Sequence, residues 1–263
     1  MKNKKSLYQF RFLILLLVVA SFSLGFLGDD KKGTRSISSQ TLYKPGAVTE
    51  EGGKKGDAYR LNVNNLNIPF NRKGIIAAVN IPDPNPIING AGGKFGGHIF
   101  LFSGGFMLSG YSNGTLFANA MASASLIENY TQGVAGSSGD PNAQLYVLKS
   151  SDPPFGTAWQ DWRDAVALGA DFYDGDGDGI YNPQETDNPP NGWDPDEDRP
   201  DLLGDETIWC AYWDGVPAAQ RQRFNNVPPL GVEVRQTAFA YASGGAIGNL
   251  IFVRYRFKYV GLG

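Results

Sequence analysis

The sequence is poor in the residues that most covalent chemistry uses. It holds one cysteine, Cys210, and one histidine, His98, among 263 residues. A lone cysteine excludes an internal disulfide framework. Cys210 lies in the apolar run Thr207-Ile208-Trp209-Cys210-Ala211-Tyr212-Trp213, which predicts a buried structural thiol and not a nucleophile. Any Cys–His or Ser–His–Asp arrangement would have to use His98. That residue opens an apolar stretch, so a packed histidine is expected. Positive charge is also short: Lys and Arg number 23 against 26 Asp and Glu, with a pI near 5.2. An acidic balance argues against nucleic acid or an anionic membrane surface as partner.

Long apolar runs are missing too. The longest, Phe12 to Phe26, is short of the roughly 20 residues a spanning helix needs. It follows a basic segment (Lys2, Lys4, Lys5, Arg11) and is followed by small residues and Asp29-Asp30. That order predicts a signal peptide over residues 1–28, with an uncleaved anchor as the alternative. No Cys ends the run, which excludes lipoprotein processing. Cleavage would remove four positive charges and no negative one, so the net charge of −3 would become −7 in the mature chain.

What is abundant is glycine (34) and proline (16), which favours turns and short strands over long helices. Residues 29–57 are polar and aperiodic and are expected to form a flexible lead-in; residues 58–263 are expected to form the folded domain. Strands are expected at Gly74–Val79, in two pieces across His98–Ser112 with a break at Gly104-Gly105, at Thr115–Ala122, at Leu145–Leu148, at Gly231–Ala242 and at Leu250–Val260. Asn113-Gly114 is a strong two-residue hairpin signal. In the last strand Val253, Tyr255, Phe257 and Tyr259 alternate with Arg254, Arg256 and Lys258, the pattern of a half-buried antiparallel strand. Only Thr157–Leu168, with Trp159, Trp162 and Val166 at helical spacing and Gly169 after it, reads as a helix. The fold expected is mostly β: an antiparallel β-sandwich with one short helix and a long acidic calcium-binding loop.

The loop carries the chemistry. Residues 174–185 read Asp-Gly-Asp-Gly-Asp-Gly-Ile-Tyr-Asn-Pro-Gln-Glu, which meets the pattern D-x-D-x-D-G-x5-E in full. Calcium takes six to eight oxygens. Asp174, Asp176 and Asp178 would offer carboxylates, Ile180 its backbone carbonyl, Asn182 the ninth position directly or through water, and Glu185 a bidentate carboxylate. Gly179 would permit the sharp turn. Pro189 and Pro190 deny the loop an exiting helix, so a structural site is expected and not the paired helices of a sensor. Thirteen of the 26 acids fall between 171 and 206, with Arg199 the one base there. A second cation among Asp194, Asp196, Asp198 and Asp201 is the alternative to a solvated acidic stretch, which is the favoured reading.

The remaining motifs are weaker. Asn113-Gly114-Thr115 and Asn129-Tyr130-Thr131 match the glycosylation sequon, with no expectation attached. Trp159, Trp162, Trp193, Trp209 and Trp213 could stack on sugar, though core packing is expected of Trp209 and Trp213. No acid is isolated in an apolar stretch, so glycosidase carboxylates are not indicated.

Three segments carry a resemblance: Tyr173–Pro183 followed by Asp205-Glu206-Thr207-Ile208-Trp209, Phe224–Thr237, and Gly248–Phe257. Together they resemble a group of large secreted surface proteins of the Bacteroidota and Ignavibacteria, associated with type IX secretion, over roughly residues 60–260. The resemblance implies a secreted or cell-surface location and little about activity. The chain stops at Gly261-Leu262-Gly263 just past a strong strand and without a sorting domain, as a truncated longer protein would. The expected role is that of a non-enzymatic, calcium-binding structural or adhesion-type protein. The expected partners are calcium and a polysaccharide or surface protein, with no nucleic acid and, once the signal is cleaved, no membrane. The alternatives are the non-catalytic N-terminal part of a larger secreted hydrolase, or a carbohydrate-binding module.

Overall fold

A computed structural model describes residues 54–77, 92–120, 130–137, 139–221 and 227–261. The signal segment, most of the lead-in and Val79 lie outside these residues.

The chain is mostly β, built of antiparallel sheets with one α-helix. The larger sheet runs β1 (Lys54–Gly56), β9 (Leu145–Lys149), β12 (Glu206–Trp213), β13 (Val232–Ala240) and β14 (Phe252–Tyr259), with β8 (Thr131–Gln132) also pairing β12. A four-stranded sheet runs β2 (Ala58–Leu61), β3 (Leu66–Asn71), β4 (Gly93–Phe95) and β5 (His98–Leu101). A separate hairpin joins β6 (Met107–Ser112) to β7 (Thr115–Ala120).

Strand β12 shows why the layers sit as they do. Its side chains alternate between two cores. Ile208, Cys210 and Tyr212 meet Leu61, Ile68, Phe70, Val147, Val234 and Tyr255 between the two sheets. Trp209 and Ala211 meet Tyr146, Leu148 and the apolar face of helix α1 (Thr157–Ala167) on the other side. A strand covered on both faces needs no polar alternation, and this one reads as a continuous apolar run. Trp162, 1% exposed, is the centre of the second core and stands edge-on to Tyr146 and Trp209 at ring-centroid distances of 6.3 and 6.2 Å. Each fully buried side chain of this size contributes about 1.5–3 kcal/mol.

Helix α1 stops where its sequence predicts. Gly169 takes a φ of 97°, the Ala170 N–H donates back to the Ala165 carbonyl at 2.9 Å, and Arg235 Nε donates to the Leu168 carbonyl at 3.3 Å. These bonds satisfy carbonyls the helix end would leave bare.

Several expectations change. Strand β1 falls inside the segment expected as lead-in, with Lys54–Gly56 pairing Leu145–Val147. Gly74–Ala77 is not a strand; only Ile76 bridges, to Phe70 and to Gly104, and Ala77 takes a φ of 59° that ends extended structure. His98 is exposed on β5, an edge strand, and not packed. The Asn113-Gly114 turn holds, with Ser112 opposite Thr115 and φ values of 49° and 77°. Strands β2 and β3 went unread. Strand β3 turns Leu66, Ile68 and Phe70 into the core from one face, with Pro69 interrupting the pattern on the other.

Candidate metal centre

The acidic stretch leaves the helix end and re-enters the sheet through one small device. Phe172–Tyr173 (β10) pairs with Arg199–Pro200 (β11), Tyr173 opposite Arg199. The Arg199 guanidinium lies 4.8 Å from the Trp193 ring centroid and 5.4 Å from that of Tyr173, a double cation–π contact. Residues 174–198 therefore form one closed loop whose two ends are neighbours. The next residue inward on each side is an aspartate: Asp174 on one strand, Asp198 on the other.

Ligand oxygens of Asp174, Asp176 and Asp198 all lie within 4.8 Å of one another. Oxygens at 2.3–2.6 Å from one calcium ion can be at most about 5 Å apart, so the three carboxylates fit a single coordination sphere. Asp174 and Asp176 are exposed, and Asp198 is 2% exposed. Asp198 is held from behind: Gly175 N–H donates to its Oδ1 at 3.0 Å and Asn182 N–H to its Oδ2 at 2.8 Å.

The glycines have separate tasks. Gly179 turns the chain at a φ of 77°, which a side chain would resist. Gly175 lets two chains touch, because a Cβ there would lie 2.4 Å from the Glu197 carbonyl oxygen. Within the loop, Asp174 accepts from Gly177 N–H (2.9 Å) and Gly179 N–H (3.0 Å), Asp176 from Asp178 N–H (3.1 Å), and Asp178 from Ile180 N–H (2.6 Å). The second half of the loop is fastened to helix α1. Buried Tyr181 donates its hydroxyl to the Trp159 carbonyl at 2.9 Å, and Gln160 donates to the Pro183 carbonyl at 3.0 Å. Burial, and then the charge of Asp198, push the Tyr181 hydroxyl pKa up.

The six residues read from the sequence divide. Asp174 and Asp176 enter the cluster. Asp178 and Glu185 lie outside it. Ile180 is exposed, and Asn182 orients Asp198 through its backbone N–H. Glu185 caps the turn beyond the loop, accepting from Gly192 N–H at 2.9 Å and Asp187 N–H at 3.2 Å. For Glu185 the flanking sequence is consistent with this. Position twelve of a helix–loop–helix site rides on an exiting helix, and Pro189-Pro190 leave none. Asp198, brought in by the β10–β11 register, is the third carboxylate of the cluster. Sequence held no signal for this, since 24 positions separate Asp174 from Asp198.

Several of the other acids have partners. Asp201 pairs with Arg254 at 2.6 Å, and Asp171 with Arg256 and, at 3.6 Å, Arg254. Buried Glu197 accepts from Thr186 N–H (2.6 Å), the Thr186 hydroxyl (2.8 Å) and Asp194 N–H (3.1 Å). Burial works to raise the Glu197 pKa, and these bonds outweigh it and leave the carboxyl below its ordinary value. Asp194 shares a hydrogen bond with Asp187, whose pKa that bond raises. Asp194, Asp196, Asp198 and Asp201 therefore do not gather into a second group of their own. Among the described residues no Lys or Arg forms an ion pair with Asp174, Asp176, Asp178 or Asp198.

Nucleophilic chemistry finds little to work with. Burial pushes the Cys210 thiol up to about 12, against a smaller opposing effect of the Gly74 backbone hydrogen bond. Trp159, Trp162 and Trp209 are buried in the second core, and Trp193 leans on Tyr173 at 5.7 Å between ring centroids. Trp159, Trp162 and Trp209 therefore present no open ring face to solvent. Compared with known protein families, curated proteins and solved structures, the chain matches none.

Proposed function

We propose that this is a secreted or cell-surface β-sandwich protein, stabilised by calcium at Asp174, Asp176 and Asp198, with a structural or adhesion-type role. One observation carries the reading. The β10–β11 register delivers a buried, hydrogen-bonded carboxylate to two exposed ones that have no cationic side chain beside them. Three carboxylates this close repel one another in water, and a hard divalent cation relieves that repulsion. Calcium would tie the acidic connection to helix α1 and to the sheet edge, acting as a staple. Among the described residues no helix directly follows the loop, which favours a constitutively filled site over a switch.

The signal-like N-terminus and the resemblance to secreted surface proteins support the location. The buried Cys210 and the solitary, exposed His98 favour a binding or scaffolding role over catalysis. The reading is tested by thermal unfolding of the chain in calcium and in chelator. A stabilisation that rises with calcium and saturates supports it; an unfolding temperature unmoved by millimolar calcium rejects it.

A further inference from the structure

The chain contains three Asn-Gly pairs: Asn89-Gly90, Asn113-Gly114 and Asn191-Gly192. The first lies outside the described residues. The other two are chemically identical dipeptides in opposite environments. Glycine after asparagine leaves the backbone nitrogen sterically open to the asparagine side chain. That nitrogen can attack Cγ and form a five-membered succinimide with loss of ammonia. Water then opens the ring at either carbonyl, giving aspartate or isoaspartate. The net change is asparagine plus water to aspartyl product plus ammonia, with no oxidant or reductant.

At Asn191-Gly192 both reacting groups are tied. The Gly192 N–H donates to Glu185 Oε2 at 2.9 Å, and the Asn191 side-chain amide donates to Asp194 Oδ2 at 2.9 Å. Attack at Cγ requires both bonds to break. At Asn113-Gly114 both residues are exposed at the tip of the β6–β7 hairpin, and a Cβ on Gly114 would meet nothing within 4 Å. Among the described residues neither the Asn113 side chain nor the Gly114 N–H has a hydrogen-bond partner. Opening this turn disturbs no buried contact of its own two residues.

We propose that Asn113 is a site of spontaneous succinimide-mediated modification and that the Glu185 and Asp194 carboxylates protect Asn191 from the same reaction. The product matters to the fold. Isoaspartate adds a backbone atom to a two-residue turn whose twist depends on two positive φ values. Ser112, 1% exposed, is the first paired residue beyond it, and Phe117, also 1% exposed, packs from the partner strand. Modification therefore loosens the hairpin from its tip inward.

The test is timed incubation of the whole chain at mildly alkaline pH. Peptide mass spectrometry then follows the mass change of an NH replaced by an O, in native chain and in denaturant. In the native chain Asn113 converts about tenfold faster than Asn191, or more. In denaturant the two rates converge. Equal native rates, or a native Asn113 that stays intact while the denatured one converts, overturn the proposal. The Glu185→Gln variant supplies a second reading: a weaker acceptor for the Gly192 N–H speeds Asn191 and leaves Asn113 unchanged. An Asn191 rate unchanged in that variant rejects protection by Glu185.

Discussion

Asp198→Asn separates the loop as the tertiary structure arranges it from the loop as the linear pattern describes it. The native carboxylate is 2% exposed, accepts two backbone N–H bonds at 3.0 and 2.8 Å, and sits within 4.8 Å of the oxygens of Asp174 and Asp176. Hydrogen bonds to a charged group are each worth about 1.5–3 kcal/mol. The asparagine keeps one oxygen for one donor and turns an NH2 toward the other. A loss of about 2–3 kcal/mol without calcium follows, or about 4–12 °C in a domain of this size. The calcium effect is the sharper reading. Native protein gains about 2.7 kcal/mol at a hundredfold excess over Kd, about 5–10 °C. Asp198→Asn should lose most of that gain, whereas Asp178→Asn, exposed and outside the cluster, should keep most of it. Scanning calorimetry in calcium and in chelator reads both. A full calcium gain in Asp198→Asn together with its loss in Asp178→Asn and Glu185→Gln would refute the cluster and restore the linear pattern.

Gly175→Ala places a methyl 2.4 Å from the Glu197 carbonyl oxygen; it should destabilise by about 1–3 kcal/mol and weaken calcium binding, both measurable by calorimetry. Trp162→Ala empties the centre of the second core and should cost about 3–5 kcal/mol in urea unfolding, with the calcium loop loosened because Tyr181 packs in the same core. Glu197 has a folded pKa below its ordinary value of 4.5. Its contribution is therefore present above that value and is lost as pH falls through the folded pKa. Urea titrations on either side of that window should show a loss of stability that Glu197→Gln flattens.

Some of this architecture was plain in the residues. The alternation of Val253, Tyr255, Phe257 against Arg254, Arg256 and Lys258, the helical spacing of Trp159 and Trp162 before Gly169, and the Asn113-Gly114 turn are local patterns, and local patterns suffice for elements whose geometry is set within a few residues. Strand β3 alternates Leu66, Ile68 and Phe70 with Asn67 and Asn71, but it is short and carries Pro69 in its middle, which argues against a strand in a local reading. The apolar stretch at Gly74–Ala77 misled for the opposite reason: apolar content predicts burial, which holds there, but not extended pairing.

Residue types and their spacing were enough to give a mostly β chain, half of whose acids crowd one connection, with glycines alternating between Asp174, Asp176 and Asp178. These depend on residue type and near-neighbour spacing alone. They do not say which carboxylates come together. The grouping rests on the pairing of Tyr173 with Arg199, which brings Asp198 beside Asp174, while Glu185 accepts from the Gly192 N–H instead. A strand register is a long-range fact, set by the two cores that hold helix α1 and strand β12 in place, and no local reading of the loop contains it.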